Sequence, residues 1–228
     1  MGANATTFVP AYVRGEVLTA ANLTVTNSGI PVFADSTART AAFGGTGEKV
    51  LAEGQYAYLE SDNSTSFWDG SAWQPVAATP QVAIFNETQA SGTDGGTATS
   101  GSYVKRVLNT TVVNTITGCS IASSVITLPA GTFIIEASAP AFRVSEHKIR
   151  IQNTTAATTL QLGSSMFTDS GINCTTRSEL QAYFTLATSS TIELQHRVGV
   201  TKASNGFGAY DLFGDSEIYS QIYITKVA

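Results

Sequence analysis

The sequence predicts an all-β protein: an antiparallel jelly-roll sandwich head, preceded by a small, mostly irregular or β amino-terminal domain with one short helix. Three observations predict it. Ser and Thr supply about a quarter of the 228 residues while charged residues supply only 13%, so polar positions are filled by hydroxyls and amides that suit strands rather than by the Glu and Lys of helical faces. Apolar and polar residues alternate over short windows, with no 3.6-residue period. About ten such windows follow one another between residues 81 and 228, divided by Gly, Pro and Ser turns.

The elements follow in chain order. Residues 8–34 are irregular apolar and polar text. Asp35-Ser36 before TARTAAF and Gly44 reads as a cap, a short helix and a stop. The turn Gly44–Gly47 leads into KVLAEGQYAYLES, where Tyr56 and Tyr58 alternate with small residues as in a strand. In SFWDGSAW, Asp69-Gly70 is a two-residue hairpin signal between aromatic strands. Pro75 and Pro80 bracket the linker QPVAATPQ, which divides the chain into a 1–78 domain and a 79–228 head. The first domain has few aliphatic residues, a weak core that is expected to lean on a partner. In the head, VAIFNET, KRVLNTTVVNTI, SVITL, GTFIIEASAPAFRV, HKIRIQN, TTLQLGS, ELQAYFTLA, STIELQHRVGV and EIYSQIYITKVA each read as a strand, and SGTDGGTATSGS as a flexible loop.

Composition excludes several classes. The net charge is −5 with no Lys/Arg run, which argues against binding a phosphate backbone. No apolar run approaches the roughly 20 residues of a membrane-spanning helix. MGANATTFVPAYVRGEV lacks the basic and apolar regions of a secretory signal. MGANAT is similar to a myristoylation motif, and the sequons beginning with Asn4 and Asn22 are what a Thr-rich chain produces by chance. Cys119 and Cys174 are read as free thiols.

The search for chemistry returns mostly absences, so no catalytic residue, metal site or cofactor is expected. His147 and His196 fall in unrelated strands, and Glu146 and His147, adjacent in one strand, point to opposite faces. His196 shares its face with Ile192, Leu194 and Val198, and reads as a packed or interface residue. GGTGEKV lacks the Gly-Lys-Ser/Thr ending of a phosphate loop. Asp62-Asn63-Ser64 and Asp94-Gly95-Gly96 read as turns, and Asp169, Asp211, Asp215 and Glu217 as loop residues.

Aromatic residues point to contacts instead. The last strand places Ile218, Ser220, Ile222 and Ile224 on one face and Tyr219, Gln221, Tyr223 and Thr225 on the other. Two large faces suit a subunit contact as well as they suit a buried central strand. Tyr219, Tyr223, His196 and Tyr183 are therefore the interface candidates. In NGFGAYDLFGDSE, Phe207, Tyr210, Leu212 and Phe213 among glycines suit receptor or partner contact. Phe33, Arg39, Trp68 and Trp73 are the candidates of the anchoring domain.

The segments KRVLNTT, SVITLPAGTFIIEASAP, KIRIQN and EIYSQIYI resemble the jelly-roll heads of the tumour-necrosis-factor and complement globular-head superfamily, LPAGTFIIEASA most specifically. Bacteriophage virions carry closely similar heads at fibre ends. GEVLTAANL, GIPVFADSTAR, AEGQYAYLESDN and FWDGSAW resemble amino-terminal segments of tail-fibre and other virion appendage proteins. The resemblance implies a non-enzymatic homotrimer on the exterior of a phage particle, with its last strand near a three-fold axis. Residues 1–78 would dock on tail or capsid proteins, and the head would adhere to a host surface glycan or protein. The short linker implies a spike or knob rather than a long-shafted fibre. A capsid decoration protein or head fibre is the first alternative. A glycan-active depolymerase and a secreted cytokine-like ligand stand further behind.

Overall fold

The computed structural model describes residues 30–44, 50–76 and 80–227. The amino-terminal motif, the sequons at Asn4 and Asn22, most of GGTGEKV and the centre of the linker lie outside the described residues. The chain divides into two compact units, Met1–Thr79 and Pro80–Ala228.

The first unit is one four-stranded sheet and a helix. Strands β1 (Val32–Phe33), β2 (Tyr56–Leu59), β3 (Ser64–Trp68) and β4 (Trp73–Pro75) lie in that order, with β1 parallel to β2 and the others antiparallel. The helix α1 (Ser36–Ala41) starts where the Asp35 carboxylate accepts the Ala38 N–H at 2.8 Å, satisfying one of the donors a first turn leaves free. At the Asp69-Gly70 turn, Trp68 pairs with Trp73 and Gly70 takes φ +98°. The Asp69 carboxylate accepts the Ser71 and Ala72 N–H groups, which hold it well below the ordinary carboxylate range. Phe33, Ala42, Ala57 and Leu59 form the small core.

The second unit is a two-sheet sandwich. One sheet has the order β14 (Thr175–Leu186), β10 (Gly131–Phe142), β16 (Glu217–Lys226), β5 (Gln81–Gln89) and β7 (Thr110–Asn114). The other has the order β12 (Thr158–Leu162), β11 (Ser145–Asn153), β15 (Ser190–Val198), β9 (Val125–Leu128) and β8 (Ser120–Ala122). Short strands β13 (Met166–Thr168) and β6 (Val104–Lys105) pair with β11 and β15. All pairings in this unit are antiparallel. Alternate residues of each strand meet in the middle: Phe133 and Ile135 of β10 and Ile222 and Ile224 of β16 share a core with Ile149, Ile151, Ile192 and Leu194. This is the jelly-roll sandwich that the alternation predicts.

The register gathers three loops at one end. Gln89 pairs with Glu217, Phe142 with Thr175, Ser145 with Thr168 and His147 with Val198. The loops 90–103, 169–174 and 199–216 therefore share that apical end, while Gln81 and Lys226 pair at the other.

Two departures from the sequence reading shape the site. KRVLNTTVVNTI reads as one strand, yet β6 pairs in one sheet and β7 in the other. The crossing at residues 106–109 turns Arg106 and Leu108 into the interior. The last strand reads as an unbroken alternation, but its pairing with β5 shifts register between Ile218 and Gln221. At this bulge Tyr219 and Ser220 both face inward.

Candidate functional site

The outer face of the five-stranded sheet is built from cross-strand rows. Gln181, Glu136, Tyr223, Ile84 and Val113 follow one another across five strands in register. The next row runs from Tyr183 through Ile134 and Thr225 to Val82. The other face of these strands already lies in the core, so an antiparallel sheet would ordinarily present polar side chains to water here. Instead Tyr183 is 72% exposed, Ile134 39% and Tyr223 37%. A groove of about 560 Å³ runs along this face past Ile84, Glu136, Glu179, Gln221 and Tyr223.

Of the four interface candidates, Tyr183 and Tyr223 belong to this face. Tyr219 and His196 do not: the structure corrects Tyr219, and of the two readings of His196 it keeps the packed one and removes the interface one. Tyr219 is buried: the bulge turns its ring onto Gly95 and Gly208, and its hydroxyl donates to the Thr93 carbonyl at 2.7 Å. His196 is fully buried between the sheets.

The apical candidates separate in the same way. Leu212 is 78% and Phe213 85% exposed, and Tyr210 is also exposed. Phe167 and Ile172 are also exposed at the same end. They were not singled out from sequence, although they stand in the Gly- and Ser-containing segment MFTDSGIN, the pattern that marked the 205–216 loop. Phe207 corrects the reading: it is buried, its ring 5.4 Å from His196 in a stacked arrangement and 4.2 Å from the Arg106 guanidinium.

In the first unit, Phe33 is likewise a buried core residue, so it is not a free anchoring contact. Arg39, Trp68 and Trp73 come together at the sheet. The Arg39 guanidinium lies 4.5 Å over the Trp73 ring and donates to Ser66 Oγ at 2.8 Å, and Trp68 meets Trp73 edge-on at 5.8 Å. These contacts seat the helix on the sheet.

A buried polar cluster beneath the apical loops was missed from sequence. Arg106 is enclosed and pairs with Glu87 at 2.8 Å, both side chains nearly free of solvent. Its Nη2 also donates to the Phe207 carbonyl at 2.9 Å and its Nη1 to the Pro140 carbonyl at 3.2 Å. Pro140 lies past Ser138, where pairing of β10 with β16 ends, so its missing N–H removes no ladder bond on that side. The Ser220 hydroxyl reaches Glu87 Oε2 at 2.9 Å. His147 and His196, in paired rather than unrelated strands, are 2.9 Å apart at Nδ1 and Nε2. Burial, with the Arg106 charge adding to it, pushes the His147 imidazole down to about 4 and that of His196 well below its ordinary value. Cys119 and Cys174 are free thiols.

Together these features define a jelly-roll head with an exposed aromatic sheet face and an apolar apical rim. Solved structures similar to it include the globular domain of a zebrafish complement 1qA protein, at 11% identity over 66% of this chain and 98% of that one, with a TM-score of 0.44. The PRD1 vertex protein P5 is similar at 12% identity over 67% and 100% of the two chains, with a TM-score of 0.45. Eiger TNF from S. frugiperda is similar at 12% identity over 66% and 94%, with a TM-score of 0.42. No protein-family model matches the chain, and no curated protein is similar to it in sequence.

Proposed function

We propose that this chain is a structural protein on the exterior of a bacteriophage virion, a short trimeric spike or tail fibre. Residues 1–78 anchor it to the particle, the outer face of the five-stranded sheet joins three copies, and the apical loops meet the host surface. The observation that carries the self-association is the exposure of Ile134, Tyr183 and Tyr223, in two adjacent cross-strand rows, on strands whose opposite face is core. Aromatic side chains of this size are the usual anchors of protein interfaces. A three-fold ring uses a heterologous contact that closes after three copies, so the tyrosines meet a different part of the neighbouring head. The anchoring role rests on the resemblance of the amino-terminal text to virion appendage proteins. The exposed Tyr210, Leu212 and Phe213 support the adhesive role. The engagement of both histidines' ring nitrogens by protein neighbours supports a structural rather than catalytic role.

Antibody raised against the head, applied to particles purified from the producing culture and viewed by electron microscopy, tests this reading. Label at tail ends is the expected result. Label at capsid vertices or faces would move the anchor to the capsid. Intact particles without label would overturn the virion role.

A further inference from the structure

A directional chain of hydrogen bonds runs through the buried cluster to the apical surface. A guanidinium can only donate, so His196 Nδ1, 3.4 Å from Arg106 Nη1, is an accepting nitrogen. His196 Nε2 then carries the proton and donates to His147 Nδ1 at 2.9 Å. His147 Nε2 is left to donate to Thr176 Oγ1 at 2.7 Å, and that hydroxyl donates to the Phe167 carbonyl at 3.3 Å. The chain is complete only when both imidazoles are neutral and in these tautomers. A proton added to His147 Nδ1 would face the His196 N–H, and one added to His196 Nδ1 would face the guanidinium.

Both ends of the chain hold exposed apical segments. Arg106 binds the Phe207 carbonyl, and Phe207 packs on Arg106 and His196. Phe207 roots the loop 199–216, which carries Tyr210, Leu212 and Phe213. Phe167, at the other end, belongs to β13 and is itself exposed. His147 also lines a pocket of about 580 Å³ with Tyr103, Glu146, Lys148 and Arg197, a route for protons from solvent.

We propose that this chain is an acid-operated latch: it clamps loop 199–216 and β13 to the sandwich while both histidines are neutral, and lets them loosen when either takes a proton. The surrounding charges favour that response. His196 on β15 faces His147 on β11 and Arg106, and His147 faces Arg106 with Thr176 of β14. Arg177 of β14 adds positive charge toward Arg106, while Glu87 of β5 lies on the other side of the balance and Tyr219 of β16, held protonated by burial, adds no charge. Glu87 is already engaged by Arg106 and Ser220, so a second cation in this space lacks an answering carboxylate of its own. Glu146, beside His147 in β11, has its carboxylate against Gly199.

The sign follows from linkage. A histidine released to solvent takes a proton near pH 6.5, whereas His147 in the closed latch resists until about 4. The open form therefore binds more protons between these values. The clamp keeps its full strength above pH ~6.5 and loses it progressively as pH falls toward the closed-state value. The latch depends on contacts within one chain and stands independently of assembly.

Hydrogen exchange of the full chain at pH ~7.5 and ~4.5, corrected for the intrinsic pH dependence of exchange, tests it. Exchange in 199–216 and 166–174 is expected to rise by about tenfold or more on acidification, with β10 and β14 still protected. His147→Gln and His196→Gln offer an acceptor and a donor but do not titrate, and are expected to abolish most of the rise. A uniform opening of the head, or the absence of a loop-specific rise, would overturn the latch. So would an undiminished rise in both variants, since the response would then not belong to the histidines. Should the variants not fold, imidazole nitrogen spectra of the native chain decide. Both Nδ1 atoms unprotonated at neutral pH is the expected result, and a proton on either contradicts the chain.

Discussion

Tyr183→Asp together with Tyr223→Asp is expected to leave the head folded and to abolish its self-association. Neither ring contributes to the core: both side chains stand on the outer face, Tyr183 opposite Ile134 and Tyr223 opposite Glu136 and Ile84. In a free head the new carboxylates remain in water, and the fold loses little. In an assembled face each substitution removes a large amphipathic contact and places a charge where it must lose its hydration. An interface aromatic of this kind is worth about 2 kcal/mol or more. The pair is therefore expected to weaken association by about a thousandfold, even with non-additive contributions. Sedimentation velocity reads the assembly, and circular dichroism melting reads the fold. Tyr219→Asp supplies the contrast. Its ring lies on Gly95 and Gly208 and its hydroxyl on the Thr93 carbonyl, so this change is expected to lower the melting temperature whatever the state of assembly.

Arg106→Met is expected to destabilise the head by about 3–5 kcal/mol, because it strands the Glu87 carboxylate in the interior. The Phe207 and Pro140 carbonyls lose their donor in the same step. Adding Glu87→Leu removes the unpaired charge, so the double variant is expected to recover part of the loss despite lacking the ion pair. Urea denaturation of the native chain, both single variants and the double variant checks this. A double variant no more stable than Arg106→Met would show that the damage lies in the broken carbonyl contacts rather than in the stranded partner charge.

The strands of the head were legible because their signal is local. Ile192, Leu194, His196 and Val198 alternate inward as the text predicts, and the β16 alternation holds from Gln221 onward. The short helix could be read from Asp35 and the hairpin from Asp69-Gly70, since a cap and a turn each use neighbouring residues. The bulge at Tyr219 and Ser220 was not legible. It is imposed by pairing with β5, some 130 positions upstream, and it decides whether Tyr219 faces a neighbour or its own loops.

Arg106 escaped for a similar reason. A charged residue inside a strand-like run reads as outward-facing unless a buried carboxylate is known to await it, and Glu87 reaches it only when the sheets close. Alternation could place both histidines inward. That they meet depends on the β11–β15 register and not on their spacing. The outer face posed the opposite difficulty. Large residues on both sides of a strand are compatible with a covered central strand or with a subunit contact, and the exposure of Tyr183 and Tyr223 shows that the described residues of this chain leave both rings uncovered.

The mass of the full-length chain in solution, measured by light scattering behind size exclusion, tests the central claim most directly. Three copies of the 23.8 kDa chain, present at micromolar concentration and lost in the Tyr183→Asp, Tyr223→Asp variant, is the result the account predicts. A mass of one chain, or of two, throughout that range would contradict it, and the exposed tyrosine face would then need a different occupant.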